Sequence, residues 1–173
     1  MDKRTCIFAS TKYQIMNAVH LVITRELVAD LYLIDEGIYT DCHTIIENIR
    51  RKKIFQNVIL VKTTDILNYS MHKSLNSFLC YINYRKIVPL YLLPYLYNTM
   101  LFCTNSIIER LTRFYLIETY DYSPKFIMFD EGVGSYFGNM EQIHTRGDKF
   151  LRKVIFKKKE NSNHIFDKFL YVP

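Results

Sequence analysis

The chain has 173 residues and a mass of 20.7 kDa, which is the size of one domain with its own core. Hydrophobic residues make up 49% and charged residues 23%, with 5 glycines, 4 prolines and 4 cysteines, and this composition excludes the disordered, collagen-like and disulfide-scaffold classes. The net charge is +6, and the whole excess comes from residues 149–159, because the rest of the chain balances 17 basic residues with 17 acidic ones.

The N-terminal third alternates strand and helix patterns. An apolar run at 5–9 predicts a first strand, and Ser10 or Thr11 after it is placed to cap a helix. Residues 29–34 and 57–62 predict two further strands, with a helix over 41–54 between them. The apolar residues of the first helix recur at helical spacing and predict one buried face: Ile15, Met16, Val19, Val22, Ile23 and Leu27.

The middle of the chain, 65–120, is predicted to be mostly helical, with breaks at Pro89 and Pro94. Its uncharged stretch from Ile87 to Ile108 is 22 residues long, which is enough to cross a bilayer. The prolines and scattered polar residues favour buried helices instead, or a helix resting on a membrane beside Arg85 and Lys86.

The C-terminal part of the chain is predicted to contain strands. A fourth strand is expected at 125–129, and two shorter ones at 150–156 and 165–172, joined by a polar hairpin turn. Alternating strands and helices predict an α/β fold with a single domain over 1–173: a Rossmann-like open, mostly parallel sheet with helices on both faces.

In such sheets ligands bind at the carboxyl ends of the strands, which directs attention to 10–14, 35–37 and 130–136. The sequence has no GxGxxG, GxxxxGK[ST], GxSxG or HExxH motif, which weakens oxidoreductase, P-loop, serine hydrolase and zincin interpretations. The cysteines and the five histidines have no metal-ligand spacing, so we expect reduced thiols, no metal site and a cytoplasmic protein.

Paired carboxylates follow the predicted strand at 125–129. Consecutive strand side chains point to opposite faces, so either Asp130 or Glu131 can enter a cleft and act there as general base on a hydroxyl, while Gly132 allows a sharp turn. The other interpretation is a polar turn that ends a strand. The triplet alone is weakly specific, because the residues at 35–37 repeat it, although Tyr136 gives the second copy a richer context.

Two segments resemble the bacterial sialyltransferases of capsule and lipooligosaccharide synthesis, which comprise glycosyltransferase family 52 and the bacterial polysialyltransferases. The first is Phe8–Ala18, with a Thr11-x-x-Gln14 turn and an Asn-Ala pair in the following helix. The second is the Asp130-Glu131-Gly132 triplet followed by Tyr136.

The resemblance implies the N-terminal, acceptor-side domain of a GT-B glycosyltransferase. Such enzymes transfer sialic acid from CMP-sialic acid to a sugar hydroxyl with inversion and need no metal or other cofactor. It further implies that Asp130 is the general base, that Glu131 supports it, and that acceptor contacts come from these residues: Thr11, Gln14, Gly132 and Tyr136.

The sequence departs from that family in two respects. None of the five histidines is followed by proline, although the family's donor-binding domain carries a His-Pro motif. A GT-B enzyme also needs two domains and this chain has one. We therefore expect a truncated N-terminal part that is inactive alone, with a glycan acceptor as its partner.

Two alternatives stay open at this stage. One is a GT-B transferase with another donor, such as a hexose or a polyol phosphate. The other is a non-enzymatic module that docks an anionic surface, with the inner membrane surface expected rather than nucleic acid. The other interpretation of its basic patch is a solvated strand and turn. The patch consists of these residues: Lys149, Arg152, Lys153, Lys157, Lys158 and Lys159.

Overall fold

The computed structural model describes residues 4–35, 42–67, 73–103, 106–119, 124–129 and 168–170. Its elements in chain order are β1 (Arg4–Ala9), α1 (Lys12–Thr24), β2 (Val28–Asp35), α2 (Cys42–Arg51), β3 (Asn57–Lys62), α3 (Thr63–Leu67), α4 (Lys73–Ile87), a 3-10 turn (Val88–Leu90), β4 (Tyr97–Phe102), α5 (Ile107–Thr119), β5 (Lys125–Phe129) and β6 (Lys168–Leu170).

The six described strands form one sheet in the order β3-β2-β1-β4-β5-β6. Every neighbouring pair is parallel, with Ile7 of β1 beside Leu31 of β2 on one side and Leu101 of β4 on the other. The predicted α/β class is therefore confirmed, as a Rossmann-like open sheet that is wholly parallel within the described part of the chain.

Strand alternation divides the core into two layers. Ile7 and Ala9 of β1 belong to a cluster that includes buried residues of α1 and α2. Cys6 and Phe8 point the other way, into a cluster built on α4 and α5. Helices thus cover both faces of the sheet, as predicted.

The buried face of α1 differs from the predicted one. Met16 and Ile23 are 68% and 59% exposed, and the expectation that they face the core is wrong. The helix has apolar residues around most of its circumference, so hydrophobic spacing alone does not tell which side meets the sheet. Its buried residues are Gln14, Ile15, Ala18, Leu21 and Val22.

Strand β4 lies inside the stretch predicted to be helical. The uncharged segment 87–108 consists of the end of α4, the 3-10 turn, β4 and the start of α5. A parallel strand between two others is covered on both faces and lacks the alternation that distinguishes a strand from a buried helix. None of the helices in the described residues is long and apolar enough to span a bilayer.

Three cysteines with described side chains, Cys6, Cys80 and Cys103, are free and buried. Burial raises the pKa of the Cys6 thiol well above its ordinary value, and its Sγ lies 3.6 Å from the carbonyl oxygen of Thr99. These thiols act as small core residues. Of the two short C-terminal strands predicted, β6 lies within the second, and 150–156 lies outside the described residues.

Candidate functional site at the strand switch point

The chain changes sheet face between β1 and β4. After β1 it enters α1 on one face, whereas after β4 it enters α5 on the opposite face. The two connections therefore diverge at the carboxyl ends of neighbouring strands, a topology that places a crevice there in open parallel sheets. In open parallel sheets, ligands bind in that crevice.

The β1–α1 connection is shaped by a reciprocal cap. The hydroxyl oxygen of Thr11 accepts a hydrogen bond of 3.1 Å from the backbone N–H of Gln14. The side-chain oxygen of Gln14 accepts from the backbone N–H groups of Ser10, at 2.6 Å, and of Thr11, at 3.1 Å. Gln14 is buried beneath the turn and Thr11 is exposed at its surface, so Gln14 holds the turn that presents Thr11.

The β4–α5 connection has the same kind of cap, which the sequence analysis missed. The backbone N–H of Glu109 donates to the Ser106 hydroxyl at 3.3 Å, and the Glu109 carboxylate accepts from the backbone N–H of Ser106 at 2.8 Å. The Ser-x-x-Glu spacing is the signal that was available. The β1–α1 and β4–α5 connections form the two lips of the crevice. Glu109 is almost fully buried, so a carboxylate lies just below the second lip.

The two lips have a common electrostatic character. Both α1 and α5 begin at the crevice, and a helix N-terminus carries a partial positive charge that favours anionic groups. Within the described residues, no group of three or more histidine, cysteine, aspartate or glutamate side chains is arranged to hold a metal ion.

The structure describes two of the predicted catalytic and acceptor-binding residues, Thr11 and Gln14, and brings both to this crevice. The others lie outside the described residues, as does the basic patch: Asp130, Glu131, Gly132, Tyr136, Lys149, Arg152, Lys153, Lys157, Lys158 and Lys159. Asp130 is the next residue in sequence after Phe129, the buried last residue of β5, and β5 pairs with β4.

The opposite, amino edge of the sheet contains a buried polar network centred on Asp30 of β2. Arg4 of β1 donates to both carboxylate oxygens, from Nε at 2.6 Å and from Nη2 at 2.7 Å. Asn57 of β3 donates at 2.8 Å and the hydroxyl of Tyr97 of β4 at 2.7 Å. Each Asp30 oxygen therefore accepts two hydrogen bonds, and four strands are joined through one side chain.

Two tyrosines extend this network into the core. The hydroxyls of Tyr32 and Tyr97 are 2.7 Å apart, and the Tyr32 hydroxyl accepts from the backbone N–H of Leu93 at 3.1 Å. Burial raises the pKa of both phenols, and the hydrogen bond to Asp30 raises the pKa of Arg4. The phenols stay neutral and the guanidinium stays charged. A fully paired network of this kind stabilises the fold and leaves no group for chemistry.

A shallow pocket of about 440 Å³ opens beside this network at the amino end of β3. Its walls include Arg50, Lys53 and Asn57, and the Arg50 guanidinium donates to the carbonyl oxygen of Val58 at 2.7 Å.

Comparison of the chain with protein-family models, with curated proteins and with solved structures finds no match.

The cap at Gln14 leads to a testable prediction. Gln14→Ala removes the acceptor for two backbone N–H groups, and we expect it to lower the free energy of unfolding by about 1–2 kcal/mol. Gln14→Glu keeps the acceptor and is expected to recover most of that loss. Urea unfolding of the three proteins measures both effects; equal stability of the alanine variant and the parent would contradict the structural role.

Proposed function

We propose that this chain is the acceptor-side, N-terminal domain of a GT-B sialyltransferase of capsular polysaccharide or lipooligosaccharide synthesis, and that it is inactive without a donor-binding domain. The observation that carries the proposal is the coincidence of sequence and fold at the crevice. The segment that resembles these enzymes, Phe8–Ala18, forms the turn at the switch point of a wholly parallel sheet. That is where an α/β sheet binds its ligands.

The second resembling segment is consistent with the same site. Asp130 follows β5, and β5 pairs with β4, whose carboxyl end forms one lip of the crevice. A carboxylate in the connection after β5 would be close to an acceptor that contacts Thr11.

In the proposed reaction, Asp130 accepts the proton of the acceptor hydroxyl as its oxygen bonds to the anomeric carbon of sialic acid. The bond between that carbon and the CMP phosphate oxygen breaks, and CMP leaves with the electron pair. Glu131 orients Asp130. Thr11 presents its hydroxyl to the acceptor from the exposed side of the cap. For this function we expect the protein in the cytoplasm, in peripheral contact with the inner surface of the membrane.

The test is a transfer assay with CMP-sialic acid and a galactose-terminated glycan. We expect no transfer by residues 1–173 alone, and transfer when the chain is joined to the donor-binding domain of a GT-B sialyltransferase. In that longer protein, Asp130→Asn is expected to lower the rate at least about a hundredfold.

A matched control is available within the chain. Asp35 begins the other acid–acid–glycine triplet and ends β2, so Asp35→Asn makes the same chemical change after a different strand. We expect it to leave the transfer rate within a factor of a few. Transfer by residues 1–173 alone would contradict the dependence on a second domain, and an unaffected Asp130→Asn enzyme would remove Asp130 from the mechanism.

A further inference from the structure

The fold separates charges that the sequence balances. Outside residues 149–159 the chain has equal numbers of basic and acidic residues. In the folded protein, however, the ends of the helices and the starts of the strands gather basic residues at the amino edge of the sheet. This edge lies opposite the crevice, and we call it the basic edge.

Nine basic residues with described side chains lie on the basic edge. Four are consecutive, at 50–53, where α2 ends and leads into β3. Arg85 and Lys86 are in the last turn of α4. The remaining three are Arg4, Arg25 and Lys125, at the start of β1, the end of α1 and the start of β5.

Few acids offset these cations. The acidic residues with described side chains on the same edge are Glu26, Asp30 and Glu118; Asp30 is buried against Arg4, and Glu118 pairs with Arg85. At the carboxyl edge the described charges nearly balance, with Asp35, Asp65 and Glu109 against four basic residues: Lys12, Lys62, Arg110 and Arg113, whose guanidinium lies over the ring of Phe102 at the end of β4. The described part of the domain is therefore electrostatically polar, with its positive end away from the crevice.

Apolar side chains protrude from the same positive end. Leu90, in the 3-10 turn after α4, is 75% exposed, and Val28 at the start of β2 is 42% exposed. Leu96, just before β4, is 36% exposed. Tyr95 beside it is also exposed, and the guanidinium of Arg4 lies over its ring, with 3.6 Å between the Arg4 Cζ and the ring centroid.

We propose that the basic edge is a docking surface for an anionic lipid bilayer. Cations that share an edge of the sheet with protruding aliphatic side chains match a bilayer surface, where anionic headgroups attract the charges and acyl chains accept the apolar groups. Nucleic acid offers phosphates and stackable bases and accepts an aliphatic side chain only as a wedge between base steps, whereas a bilayer accepts several over one surface, so the three exposed aliphatic residues favour lipid. The pocket lined in part by Arg50 and Lys53, about 440 Å³, has the volume to hold a headgroup phosphate. The proposal does not depend on the chemistry proposed for the crevice.

Docking through this edge fixes the orientation of the domain. Strand β1 has six residues and spans about 20 Å, so the crevice at its far end lies about that distance or more from the lipid. The crevice then faces away from the bilayer, toward the aqueous phase.

The test is co-sedimentation of the full chain with vesicles of phosphatidylcholine that contain about 30% phosphatidylglycerol, compared with pure phosphatidylcholine vesicles. We expect binding to the anionic vesicles, and loss of most of it when NaCl is raised from about 0.1 M to about 0.5 M. Lys52→Glu/Lys86→Glu is expected to weaken binding at least about twentyfold, because each basic side chain near the surface contributes about fivefold. Leu90→Ser is expected to weaken it about threefold to tenfold.

The matched control is Lys12→Glu/Lys62→Glu, which makes the same charge change at two exposed positions of the carboxyl edge. We expect its binding to stay within about threefold of the parent, and circular dichroism verifies that all variants are folded. Equal losses in the two double variants would overturn the proposal. It would also be overturned if only Lys157→Glu/Lys158→Glu/Lys159→Glu abolished binding, or if the chain bound a labelled DNA duplex and no vesicles.

Discussion

Replacing Asp30 by asparagine is expected to lower the free energy of unfolding by about 3–5 kcal/mol. The carboxylate is fully buried and accepts four hydrogen bonds, two of them from the Arg4 guanidinium. Asparagine has one acceptor oxygen, and its NH₂ group would face donors. Asp30 is the fully buried partner of the ion pair and Arg4 is 21% exposed, so the substitution leaves a largely enclosed guanidinium without its partner, which is costly. Urea unfolding at neutral pH measures the loss.

The exposed ion pair of the same domain provides the comparison. Glu118→Gln removes the partner of Arg85, whose side chain is 73% exposed, and we expect a loss below about 1 kcal/mol. If the two substitutions lowered the free energy of unfolding by similar amounts, the Asp30 network would not hold the four strands together as its hydrogen bonds indicate.

Alkaline pH is expected to destabilise the protein steeply. Burial raises the pKa of Tyr32, Tyr91 and Tyr97 above the ordinary value of 10.0. Below pH 10 these phenols are neutral in both the folded and the unfolded chain, so their contribution is constant. As the pH rises above 10, only the unfolded chain releases these protons, and stability is lost. Each tyrosine lowers the free energy of unfolding by up to about 1.4 kcal/mol per pH unit, so the three together lower it by about 4.

Tyr91→Phe separates the effect of phenol ionisation on stability from the effect of ring packing, because phenylalanine keeps the ring and removes the hydroxyl. The substitution removes a hydroxyl that lies 2.9 Å from the Thr112 hydroxyl, so at pH 7 we expect a loss of about 1 kcal/mol. Above pH 10 the variant is expected to lose stability about one third less steeply than the parent, and the two curves should cross. Parallel curves from urea unfolding between about pH 8 and 12 would show that Tyr91 does not contribute.

The sequence predicts strands at β1, β2, β3 and β5 because each is a short apolar run that ends in polar residues. The same criterion fails for β4, where no charge marks either boundary between Ile87 and Ile108. The position of β4 beside β1 is a tertiary property. It depends on the long crossover from β3, which contains α3 and α4.

The Asp30 network was not predictable for a related reason. An acid within an apolar run is visible in the sequence, but its partners are not. Arg4, Asn57 and Tyr97 lie 26, 27 and 67 residues away along the chain, on three other strands. The turn at Thr11 and Gln14, in contrast, was recognisable because both halves of its cap lie within four residues. The basic edge was not predicted either, because the numbers of basic and acidic residues in a sequence do not show where the fold places them.

The central position of β1 also has a consequence for the order of folding during synthesis. Cys6 of β1 and Thr99 of β4 are 93 residues apart, yet the two strands are neighbours in the sheet. At about 5–20 residues per second, a ribosome needs roughly 5–20 s to deliver β4 after β1. During that interval β4 cannot yet cover its edge of β1, and an open hydrophobic strand edge readily joins a second chain. A chaperone that binds nascent chains is therefore expected to act before residue 100 has left the ribosome.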